Sequence, residues 1–150
     1  MTTKKILAAL DFSKFSQEVV NFAADFARRY DASLTLLHVA DEPNRVFPEG
    51  FVAIMPARTT ELLNLLEMAL ADAKKEAIAA GATNVSTMLV KGVPFAEIAQ
   101  IAQDKAYDTI IVGTHGRTGL MHALLGSVAE KVVRSAPCTV ITVRDRAAAK

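Results

Sequence analysis

Tryptophan is absent from this 150-residue chain, and cysteine occurs once, at Cys138. A single thiol excludes an internal disulfide and any zinc site that needs two or more thiolates, and it fits a reducing, intracellular setting. An excess of either charge is lacking too: 17 lysines and arginines face 16 aspartates and glutamates, for a formal net charge of +1. That balance, with no block of like charges, argues against a basic arm for nucleic-acid backbone and against an acidic disordered tail. No apolar run approaches the ~18 residues of a membrane span. Met1-Thr2-Thr3-Lys4-Lys5 leads into a short strand-like segment and not into a signal-peptide core. We therefore expect a cytoplasmic protein with neither membrane nor nucleic acid as a partner. Apolar residues make up 51% of the chain, and a domain of this length buries roughly 68–70% of its unfolded surface, so it needs no staple.

In place of long runs, the chain alternates short apolar segments with helical stripes. Residues 6–10 are continuously apolar, the mark of a strand buried on both faces. The run stops at Asp11-Phe12-Ser13, where Ser13 or Asp11 is placed to cap a helix. Phe15, Val19, Phe22, Ala23, Phe26 and Ala27 then recur at helical spacing, with Arg28 and Arg29 near the carboxyl end. After the turn-prone Asp31, residues 33–39 read as a second strand. Residues 41–56 carry Pro43, Pro48, Pro56 and Gly50 among scattered apolar side chains, which predicts a long irregular excursion.

Thr59 or Thr60 starts the next helix, with an apolar stripe of Leu62, Leu63, Leu66, Ala69, Leu70 and Ala73 and with Gly81 as its carboxyl-terminal cap. Residues 84–90 form a third strand. Gly92-Val93-Pro94 opens a helix carrying Ile98, Ile101 and Ala102, and residues 108–112 form the fourth strand. Residues 127–134 read as a last helix and 138–143 as a fifth strand. Strands alternating with helices pair in parallel through right-handed crossovers, which predicts one α/β domain over residues 1–150: a doubly wound sheet with helices on both faces. Ligands of such sheets sit outside the carboxyl ends of the strands, where strand order reverses. Asp11, Val39-Ala40, Gly92 and Gly113 should meet there.

The stretch Gly113-Thr114-His115-Gly116-Arg117-Thr118-Gly119, followed by Gly126-Ser127, lies between the fourth strand and the last helix. Glycines between a buried strand and a helix let backbone N–H groups approach a phosphate with no Cβ in the way. The spacing Gly-x2-Gly-x9-Gly-Ser is neither a Walker A loop nor a Rossmann fingerprint. Tight turns and helix caps are the alternative use for these glycines, and their position between strand and helix favours phosphate cradling.

With that loop in place, the chain resembles the universal stress protein family, in particular its ATP-binding branch. The resemblance rests on Lys5-Ile6-Leu7 with Asp11-Phe12-Ser13, Leu36-Leu37-His38-Val39, Gly92-Val93-Pro94, the glycine loop, Leu124 to Glu130, and Ala136-Pro137-Cys138-Thr139-Val140, all in the family's order. It implies five parallel strands in the order 3-2-1-4-5. It also implies an ATP site, open to ADP or AMP, in which Asp11 lines the adenine and ribose pocket and the Val39 backbone contacts adenine. Residues 113–119 would hold ribose and phosphates, and Gly126, Ser127, Val128 and Ala129 would complete the phosphate site, with Mg2+ or Mn2+ bridging phosphate oxygens and Ser127. Ala9 stands where many relatives carry proline, a mild change at a position expected to act through its backbone. The resemblance further implies a homodimer paired through Val140, Ile141, Thr142 and Val143, the last strand, whose exposed edge is otherwise a hazard.

Other candidates read more plainly. His38 ends a buried strand and suits a structural, hydrogen-bonded role. His115 lies within the phosphate loop, His122 on the surface, and Cys138 in packing. An apolar surface around Met55, Met68, Phe47, Phe51 and Ile54 is read as packing on the sheet edge. With no Walker lysine and no matched acid and base, the sequence fits a nucleotide-responsive stress or signalling module with at most slow hydrolysis. A weak ATPase or adenine-nucleotide hydrolase and a nucleotide-free dimeric interaction protein are the alternatives.

Overall fold

A computed structural model describes residues 3–41, 55–115 and 125–144, with backbone only for 55–59. The elements run β1 (Lys5–Ala9), α1 (Ser16–Tyr30), β2 (Ser33–Asp41), α2 (Met55–Ala79), β3 (Val85–Gly92), α3 (Pro94–Asp104), β4 (Thr109–Gly113), α4 (Ser127–Ser135) and β5 (Thr139–Val143). All strand pairs are parallel, and the sheet order is β3-β2-β1-β4-β5, as the family resemblance implies.

The continuous apolar strands follow from cover on both sides. Ile6, Ala8, Leu34, Leu36 and Ile111 face α1 and α2, while Leu7, Leu37, Ile110 and Val112 face α3 and α4. Each fully buried leucine or isoleucine contributes about 1.5–3 kcal/mol relative to exposure. Small side chains bring α1 close to the sheet: Ala23, Ala24 and Ala27 are all buried. Its ion pairs from Arg28 and Arg29 to Asp25, at 2.7 and 2.6 Å, are exposed, and such pairs contribute little. The two guanidinium groups hold the Asp25 carboxyl below the usual carboxylate range, mainly through those hydrogen bonds.

Four local expectations are corrected. Helix α2 starts at Met55 and not at Thr59 or Thr60, because Pro56 sits in the first turn, where its missing N–H would have had no helical partner anyway. Leu62 is 54% exposed, since the inward face of α2 is set by Leu70, Ala73 and Ala77. Phe22 is also exposed and stacks on Phe26 at the surface, with ring centroids 5.9 Å apart. Met68, expected to pack on the sheet edge, is 64% exposed. Gly81 does close α2. Its φ of +106° is one that a side chain rarely allows, and a Cβ there would meet Arg28 Cδ at 2.7 Å.

At the amino ends of the strands, the Asp108 carboxylate accepts from the N–H groups of Lys4 and Lys5 at 2.8 and 2.9 Å, tying β1 to β4. Nearby, buried Tyr107 donates its hydroxyl to Thr35 at 2.8 Å, and Thr35 is 3.0 Å from Ser86 on β3. Tyr107→Phe leaves one buried hydroxyl short of a partner, so we expect a loss of about 1–2 kcal/mol in urea unfolding. A change within error would show that Ser86 alone satisfies Thr35.

Candidate functional site

Strand order reverses between β1 and β4, with α1 and α2 on one face of the sheet and α3 and α4 on the other. A cleft of about 310 Å³ opens at the carboxyl ends of the strands, within the size range of small-molecule sites. Ala9 and Asp11 from the end of β1, Val39 from β2, Gly113 and His115 from β4, and Gly126, Ser127, Val128 and Ala129 from the start of α4 all line it. Thus nine of the ten candidate positions among the described residues, separated by up to 120 in sequence, line one cleft, and Thr114 is the exception. That residue is buried behind the cleft and is not among its lining residues. Gly116, Arg117, Thr118, Gly119 and His122 lie outside the described residues, as do Phe47, Phe51 and Ile54 and the Met55 side chain. Ala40 and Gly92, expected at the crevice, do not line it. Gly92 instead serves the turn into α3, with φ +149° and Glu97 packed where a Cβ would be.

The anion-binding side is built from backbone. Glu130 N–H donates to the Gly126 carbonyl at 2.9 Å, the first bond of α4. The preceding N–H groups of Ser127, Val128 and Ala129 therefore have no helical acceptor, and the N-cap residue, Gly126, has no side chain to cap them. They stand at the positive end of the helix dipole, facing the cleft that their residues line. Thr114 fixes this geometry: its N–H donates to the Val143 carbonyl at 2.9 Å, and its own carbonyl accepts from Gly126 N–H at 2.6 Å. The two ends of the glycine segment are thereby clamped to each other and to β5. Glycine at 113 also matters for packing, since a Cβ there would sit 3.3 Å from Val19 on α1.

The opposite side carries acceptors. Asp11 Oδ1 accepts from Ser13 N–H at 2.9 Å and from the Ser16 hydroxyl at 3.1 Å, while Ser13 Oγ accepts from Phe15 N–H at 3.3 Å. Neither side chain is the helix cap expected from the sequence; the turn itself uses them, and Phe15 occupies the N-cap position. Between them, Phe12 adopts φ +57°. A bulky side chain there costs on the order of 1–3 kcal/mol and persists only when its surroundings hold it. Its ring lies against His38, with centroids 4.7 Å apart.

His38 is buried and bonds through Nδ1 to the Leu10 carbonyl at 2.6 Å, in keeping with a structural role, yet it also reaches the cleft wall. His115 has its Nδ1 3.2 Å from the Thr114 hydroxyl and its ring 5.4 Å from that of Phe15. Sequence reasoning did not find that orienting partner, although it is the adjacent residue. It also missed Asp41, Pro94 and Ile98, which complete the wall on the α3 side. Asp41 had a legible signal: it follows Val39 by two in a strand and so shares its face. Cys138 is half-buried and packs against the α3 and α4 core, where desolvation raises its thiol pKa.

Among the described residues, no group of three or more His, Cys, Asp or Glu is placed to hold a metal ion. Nor is any helix among them long and apolar enough to cross a membrane.

Comparison with known proteins agrees with this architecture. The model of the universal stress protein family matches residues 2–144. A universal stress protein of Methanocaldococcus jannaschii is 37% identical, over 94% of this chain and 82% of the relative. Among solved structures, the universal stress protein UspA from Lactobacillus plantarum superposes with a TM-score of 0.87 at 25% identity, over 96% of this chain and 99% of the other. The universal stress protein from Archaeoglobus fulgidus in complex with dAMP gives a TM-score of 0.63 at 25% identity, over 95% and 98%. The likeness spans sequence and fold alike, and the chain belongs to the universal stress protein family.

Proposed function

We propose that the chain binds an adenine nucleotide, with ATP as the principal ligand and ADP or AMP able to share the site, and that it acts as a nucleotide-responsive stress or signalling module. The observation that carries this reading is the convergence, across one cleft, of the first three N–H groups of α4 with Asp11 and Val39. The phosphates take the dipole end of α4, and the nucleoside takes the side of β1 and β2. The dAMP held by the Archaeoglobus relative supports an adenine ligand. A divalent cation enters with the nucleotide, bridged between phosphate oxygens and the Ser127 hydroxyl.

Thermal unfolding with ATP, ADP and AMP tests the reading. At a concentration about 100 times Kd, binding adds about 2.7 kcal/mol, which for this size raises Tm by roughly 5–10 °C. No shift with any of the three would refute nucleotide binding and leave a nucleotide-free interaction protein. The oriented His115 favours a second reading, slow hydrolysis. Many product equivalents per chain under saturating ATP and Mg2+ would establish it, and stoichiometric product at most would reject it.

Pairing through β5 completes the reading as a homodimer. The strand closes one edge of the sheet, and its Thr139 and Thr142 side chains are exposed.

A further inference from the structure

The cleft contains a second carboxylate that the glycine motif does not include. Strand β2 ends at Asp41, which lines the same cavity as Val39 and lies opposite Gly92 in the β3 register. Val39 packs into the core beneath α3, so Asp41, two residues on, faces that side as well. Asp41 is exposed, and no lysine or arginine lines the cleft among the described residues. The cavity is therefore polarised from end to end. Backbone N–H donors of α4 stand on the side of β4, and the carboxylates of Asp11 and Asp41 stand on the side of β1 and β2. A ligand lying along it must present negative charge at one end and N–H or O–H donors at the other.

Asp11 is committed in part to the fold, since its Oδ1 holds the turn through Ser13 and Ser16. Asp41, at the tip of its strand, holds no such turn together among the described residues. We infer that Asp41 is a specificity-determining acceptor for a donor on the nucleoside end of the ligand, an inference that rests on the nucleotide reading above. The donor chemistry is shared by two groups, the 6-amine of adenine and the ribose 2′-hydroxyl. A site that hydrogen-bonds such a group rejects the analogue lacking it, because the acceptor is left without its partner. An acid at the end of the second strand plays a comparable part toward ribose in dinucleotide-binding sheets.

Equilibrium titration of the wild-type chain, Asp41→Ala and Asp41→Asn with ATP, ITP and 2′-deoxy-ATP at fixed salt tests this. The wild type is expected to prefer ATP by about tenfold over ITP if the amine is read, or over 2′-deoxy-ATP if the hydroxyl is read. Asp41→Ala should bring that ratio to about one, and Asp41→Asn, which keeps one acceptor oxygen, should fall between. If the wild type binds ATP and Asp41→Ala keeps the same ratios, the assignment of Asp41 is overturned while nucleotide binding stands. If the wild type binds none of the three, both fail.

Discussion

Gly126→Leu is expected to weaken ATP binding by at least about a hundredfold, close to 3 kcal/mol, with little change in the unfolding midpoint of the ligand-free chain. Gly126 lines the cleft and immediately precedes the α4 donors, so a leucine there competes with phosphate for space. Its backbone, at φ −65° and ψ 160°, is one that any residue adopts. The fold should therefore tolerate the change. Gly113→Val is a poorer probe, because its side chain would press on Val19 of α1 and disturb packing and binding together. Titration calorimetry decides the matter: unchanged affinity in Gly126→Leu would mean that phosphate does not sit at the start of α4.

The second large effect is expected at the sheet edge. The Val143 carbonyl accepts from Thr114 on the β4 side. N–H and C=O groups of one strand residue point the same way and alternate along the strand, so Val140 and Thr142 direct theirs to the free edge. Thr142→Pro removes one outward N–H and leaves the ladder to β4 complete, a placement proline accepts in an edge strand. In sedimentation velocity we expect the wild type to run as a dimer and Thr142→Pro as a monomer at the same concentration. Ile141→Lys would be ambiguous, since Ile141 packs against the α1 and α2 core and a lysine there would perturb the monomer as well. A Thr142→Pro dimer as tight as wild type would place the interface elsewhere.

What the sequence made legible was local and periodic. Continuous apolar runs gave the strands, the glycine at 81 gave a helix end, and alternation gave a parallel sheet; the strand order came from the family resemblance. Readings failed where tertiary placement outweighed pattern. Leu62 and Phe22 fit helical stripes, yet both lie exposed, because each stripe is wider than the face the sheet covers. Pro56 read as a loop residue because proline is equally at home in a loop and in a first helical turn. Gly113 and residues 126–129 could be placed at the cleft because glycine spacing constrains backbone directly. The side of Asp41, Pro94 and Ile98 was not, because its residues meet only when β2 and α3 are brought together. Thr114 was read as a ligand contact, and its two backbone bonds, to Val143 and Gly126, are a further role that glycine spacing does not reveal.

The central claim, an adenine nucleotide held between Asp11 and the start of α4, is tested most directly by mass spectrometry of small molecules released on denaturing the freshly purified protein, after incubation with ATP and removal of the free nucleotide. The account predicts close to one adenine nucleotide per chain from the wild type and almost none from Gly126→Leu. Release of none from the wild type, or of equal amounts from both, would contradict it.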